Sequence, residues 1–98
     1  MSFMLTRIHV DDYDAWKPIF DSDPPGARTA AKGHRILRSA EDPNDLFVQV
    51  EFASPEDARA ARERLLTSGV LDRVTVKAGP SVAEEAETVA YKDGSNAS

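Results

Sequence analysis

His9 and His34 are the two side chains of this chain that titrate near neutrality in an ordinary environment, so any general acid–base chemistry has to start with them. Arg7, Arg35 and Arg38, together with Glu51, add fixed guanidinium donors and a carboxylate that can orient an anionic or enolic substrate. Each has a plainer competing reading. A lone histidine on a strand is commonly a structural residue, and the arginines can equally form ion pairs within a sheet or across a chain contact. Tyr13 and Trp16 are aromatics of the kind that line pockets, but their helical spacing with Phe20 favours packing against a core.

Other chemistries have less to stand on. The chain contains no cysteine, which removes disulfides, a thiolate nucleophile and sulfur-ligated metals. No metal site is expected: there is no His-x-Glu-x-His spacing, and Asp11, Asp12 and Asp14 suit the start of a helix better than coordination. Neither a Gly-x-Gly-x-x-Gly nor a Walker pattern occurs, so nucleotide and flavin cofactors lack a motif. A net charge of −5, spread along 98 residues without a basic stripe, argues against nucleic acid and anionic membranes as partners. The longest apolar runs are far shorter than the roughly 20 residues that span a bilayer. Met1 to Arg7 lacks the basic and apolar regions of a signal peptide, so the cytoplasm is the expected compartment.

The elements that must position these residues follow from pattern. Phe3 to Val10 alternates as a strand, with Phe3, Leu5, Arg7 and His9 on one face and Met4, Thr6, Ile8 and Val10 on a more apolar one. Asp11-Asp12 caps a helix over about 12–22, in which Tyr13, Trp16 and Phe20 recur at i, i+3 and i+7 beside Ile19. Pro18, beyond the first turn, is expected to loosen or kink it. Asp23-Pro-Pro-Gly26 ends the helix, and a further helical turn over 27–32 closes at Gly33.

His34 to Ala40 and Leu46 to Ala53 form a hairpin around Glu41-Asp-Pro-Asn-Asp45. In the second of these strands Leu46, Val48, Val50 and Phe52 make a dry face, and Phe47, Gln49 and Glu51 a mixed one. Ser54 caps a helix opened by Pro55 and ended near Gly69, with Ala58, Ala61, Leu65 and Leu66 directed to the core. A short turn through 71–73 and an extended piece over 74–76 follow. Ser81 to Tyr91 has helical spacing and a possible capping box, Ser81 with Glu84, yet the β-α-β-β-α order needs one more strand there. Residues 1–92 form a single domain, and 93–98 a polar tail.

Asp12 to Asp21, Arg38 to Asp45 and Ser68 to Arg73 resemble small bacterial proteins of the dimeric α/β barrel superfamily, which includes antibiotic-biosynthesis-monooxygenase-like and polyketide-cyclase-like members. Gly79 to Glu87 resembles the last strand of that family and tips the ambiguous segment to strand. The resemblance implies an α+β, ferredoxin-like βαββαβ domain, with an antiparallel four-stranded sheet whose free face meets a second subunit. It implies a homodimer that binds a small molecule. With the dry face against the helices, Phe47, Gln49 and Glu51 would line a barrel pocket with Arg7 and His9.

The site expected is therefore His9 and His34 for catalysis and Arg7, Gln49, Glu51, Arg38 and Trp16 for substrate. No cofactor is expected, since the Asn, Trp and His constellation of haem-degrading relatives has no counterpart here. Two functions follow: a cofactor-independent monooxygenase or cyclase of secondary metabolism, or a non-catalytic ligand-binding, accessory or stress-related protein. Interaction through the acidic Glu84, Glu85 and Glu87 ranks below both.

Overall fold

A computed structural model describes residues 1–24 and 26–92. The tail expected over 93–98 lies outside the described residues. The chain runs β1 (Ser2–His9), α1 (Tyr13–Ser22), β2 (Gly33–Arg38), β3 (Asp45–Phe52), α2 (Pro55–Ser68), a single 3-10 turn (Val70–Arg73) and β4 (Thr75–Glu84). The strands form one antiparallel sheet in the order β2-β3-β1-β4, a ferredoxin-like α+β arrangement. No helix among the described residues is long and apolar enough to cross a membrane.

Alternation fixes the two faces of the sheet. Register pairs Met4 with Val50, Thr6 with Val48 and Ile8 with Leu46, and all of these side chains turn toward the helices. Met4, Ile8, Val10, Leu46, Val48, Val50 and Phe52 are buried there with Ala58 and Ala61 of α2. Leu46 and Phe52 have no exposed surface at all. Phe3, Leu5, Arg7, His9, Asp45, Phe47, Gln49 and Glu51 occupy the other face, which no helix or strand among the described residues covers.

Local chemistry sets the helix ends. The Asp12 carboxylate accepts from Asp14 N and Ser54 Oγ from Asp57 N, each satisfying a donor that a helix start leaves free. Gly69 takes φ +77 at the end of α2, a left-handed conformation that glycine adopts without steric cost. α1 continues through Pro18. Leu66, expected in the core, is 51% exposed. It lies about 100° around α2 from the stripe of Ala58, Ala61 and Leu65, at 100° per residue, and so falls off the buried face.

Two segments depart from their sequence patterns. Residues 27–30 form turns and no helix, because the Asp23 carboxylate accepts from Ala27 N and Arg28 N and Thr29 Oγ1 donates to Gly26 O. Such side-chain bonds compete with helical ones. Gly33, expected to close that helical turn, instead opens β2. The last strand begins at Thr75 and ends at Glu84, so the extended piece near Val74–Val76 and the start of the ambiguous segment are one strand. Register shifts opposite Leu5, Arg7 and Ile8 absorb the irregularity between its two parts. Regular pairing ends with Glu84 opposite Ser2, one further bond runs from Glu85 N to Met1 O, and 85–91 has no regular structure.

Candidate functional site

The first helix does not seat closely on the sheet. No Cα of α1 lies within 8 Å of a Cα in any other helix or strand among the described residues. Rings span the gap. Tyr13, Trp16 and Phe20 stack along the inner side of α1 with centroids 5.8 and 5.0 Å apart, and Phe20 meets the His34 ring edge-on at 5.1 Å. Trp16 and Phe20 are only half-buried, and they border a cavity of about 260 Å³ between α1, the sheet and the 3-10 turn. Met4, Ile8, Val48 and Val50 form the floor, Trp16 and Phe20 the helix side, and Leu65, Val70 and Leu71 the far wall.

Polar groups gather at the rim. Asp23 and Arg28 are held in place: the Asp23 carboxylate caps the turn after α1, and Arg28 lies over the Phe20 ring at 3.8 Å while donating to Phe20 O. Asp12 is committed to capping α1. Asp11 and Arg73 complete the rim, and Thr6 is the polar residue of the floor. This is a mostly apolar space with a few placed polar groups, the usual constitution of a small-molecule site.

The residues singled out from sequence divide between the two faces of the sheet. Trp16 lines the cavity. Arg7, His9, Gln49 and Glu51 share the uncovered face, where Arg7 lies over the Phe47 ring at 4.9 Å. Leu5, Leu37 and Phe47, each more than a third exposed, give that face an apolar centre. Register sets Arg35 beside Gln49 on this face and Arg38 beside Leu46 on the other. Arg38 is engaged at the sheet edge, with its guanidinium 4.1 Å from the Tyr13 centroid and its Nε donating to Pro43 O.

The histidines do not meet. His9 Nδ1 stands 2.7 Å from Asp45 Oδ1, and the hydrogen bond holds the Asp45 carboxyl below its usual range. A carboxylate that fixes one imidazole nitrogen leaves the other free for proton transfer, but this pair sits at the end of the uncovered face, across the sheet from the cavity. Asp42 Oδ2 lies 3.7 Å from the same nitrogen, so the ligand-type atoms of His9, Asp42 and Asp45 are within 4.8 Å of one another. Lys77 Nζ stands 3.8 Å from Asp45 and already supplies a cation to the trio. His34 occupies the edge strand, where burial, then the charges of Arg28 and Lys17, push its pKa below the ordinary value.

Thr6, Arg28, Arg73 and the wall residues Val70 and Leu71 were not among the candidates read from the sequence, and Asp11 was expected only at a helix start. Thr6 carried a signal, as a polar position in the middle of the apolar face of β1; the others depend on which loops close over the gap. No family model matches the chain, and no curated protein matches it significantly.

Proposed function

We propose that this protein binds a small, mainly apolar molecule in the cavity between α1 and the sheet, as a homodimer joined through the uncovered sheet face in the manner of dimeric α/β barrels. The cavity of about 260 Å³ carries this reading. It has roughly the volume of nine water molecules at ~30 Å³ each, enough for a compact one- or two-ring ligand. Leu5, Leu37 and Phe47 support the dimer, because an apolar centre rimmed by Arg7, Arg35 and Glu51 has the composition of a protein interface. The resemblance extends the reading to cofactor-independent oxygenation or cyclisation of the bound molecule in the cytoplasm. A non-catalytic ligand-binding or accessory role requires the same binding without turnover.

Calorimetric titration with 1-methylnaphthalene tests the binding site. One molecule per chain is expected, with binding lost in Val50→Phe, which places a ring in the cavity, while circular dichroism stays unchanged. Failure of the unaltered protein to bind, or undiminished binding by Val50→Phe, overturns the site. Light scattering tests the dimer, and a monodisperse monomer at working concentration refutes it.

A further inference from the structure

The floor of the cavity holds one group whose hydrogen bonding the protein leaves open. Thr6 lies in the middle of β1 between the buried Met4 and Ile8, opposite Val48, and its side chain faces the cavity. Its Oγ1 has no hydrogen-bond partner among the described residues, and it is not sealed from solvent, since no buried side-chain oxygen or nitrogen lacks a partner. The hydroxyl therefore opens into the cavity. Of the other polar side chains, Asp12, Asp23 and Arg28 are already engaged. Asp11 and Arg73 have no side-chain partner among the described residues, but both sit at the exposed rim. Among the described residues, Thr6 is thus the one open hydrogen-bonding side chain at depth.

A hydroxyl in such a place discriminates between ligands. An apolar ligand end pressed against it would bury the Oγ1 unpaired and forfeit its bond to water. An ionised end would lose its hydration with no buried counter-charge to replace it, because the arginines stand at the rim. A neutral oxygen that donates or accepts one hydrogen bond meets neither cost. We propose that Thr6 is the polar anchor of the cavity, and that its ligand is an uncharged, mainly apolar molecule with a hydroxyl or carbonyl oxygen at its buried end.

This rests on the cavity being a binding site, and three shape-matched probes separate the two ideas. 1-Naphthol, 1-methylnaphthalene and 1-naphthoate are titrated calorimetrically into the full chain and into Thr6→Val, which keeps the side-chain shape and removes the hydroxyl. The ratio of the methylnaphthalene Kd to the naphthol Kd is expected to fall about threefold to tenfold in Thr6→Val, the worth of one net hydrogen bond. Methylnaphthalene itself should bind the variant at least as tightly as the unaltered protein, and a matching urea midpoint for the two proteins shows the fold is intact. An unchanged ratio, or equal weakening of both neutral probes, overturns the anchor while leaving the cavity standing. Naphthoate binding tighter than naphthol overturns the uncharged ligand class. If no probe binds the unaltered protein, the cavity reading itself has failed.

Discussion

Ile8 and Leu46 are cross-strand neighbours on the same sheet face, both buried, yet Ile8 borders the cavity and Leu46 does not. Truncating each to Ala removes the same number of carbons, costing roughly 2.4 kcal/mol at ~0.8 kcal/mol per carbon. Leu46 is enclosed on all sides, so its removal also leaves a void. If about 40–80 Å³ stays unfilled, at ~24 cal/mol per Å³, a further 1–2 kcal/mol is lost. Leu46→Ala should therefore cost about 3.5–4.5 kcal/mol. Ile8 borders the cavity, and its truncation only widens a space that water can enter. Ile8→Ala should cost about 2.5 kcal/mol. Strand propensity works the other way, since Ile favours a strand more than Leu does, so the expected order can come only from the gap beneath α1. Urea unfolding at one fixed protein concentration, with m-values checked for constancy, measures both. An Ile8→Ala cost equal to or above that of Leu46→Ala would refute the picture of a helix held off the sheet.

Two further outcomes test the frame around the site. Gly79 has φ +83, and a Cβ there would run into the Leu5 carbonyl oxygen, so Gly79→Ala should cost at least 2 kcal/mol by the combined strain and clash and loosen the β1–β4 edge, seen as a lower urea midpoint and faster amide exchange in β4. His34 has a folded pKa below its unfolded value of about 6.5, so the unfolded chain binds the proton more readily and stability is lost as pH falls from above 6.5 through the folded pKa. NMR titration should place His34 below the ordinary range, and His34→Gln should flatten the stability profile in that window; a His34 pKa at or above the ordinary value counts against it.

Much of the scaffold was legible in the sequence because it is written in short-range chemistry. The alternation of β1 and β3 assigned their faces, and Asp12 and Ser54 marked helix starts through bonds to residues two and three positions on. Gly69 marked the end of α2 through a conformation it adopts without cost. The failures share a cause as well. Turns at 27–30 prevailed over helical spacing because Asp23, several residues away, captured the local donors. The last strand was hard to place because it forms by pairing with β1, at the other end of the chain, which no local pattern reveals.

Local pattern was enough for the order of the elements, the apolar and mixed faces of β1 and β3, and the ring-bearing side of α1, since these depend on residues within a few positions of one another. Tertiary structure decided where the chemistry can be. The distance between α1 and the sheet depends on how three rings, the Asp23 turn and the 3-10 turn pack together, and no local pattern encodes it. That spacing put the cavity beside Trp16 and Thr6 and left Arg7, His9, Gln49 and Glu51 on the far side of the sheet.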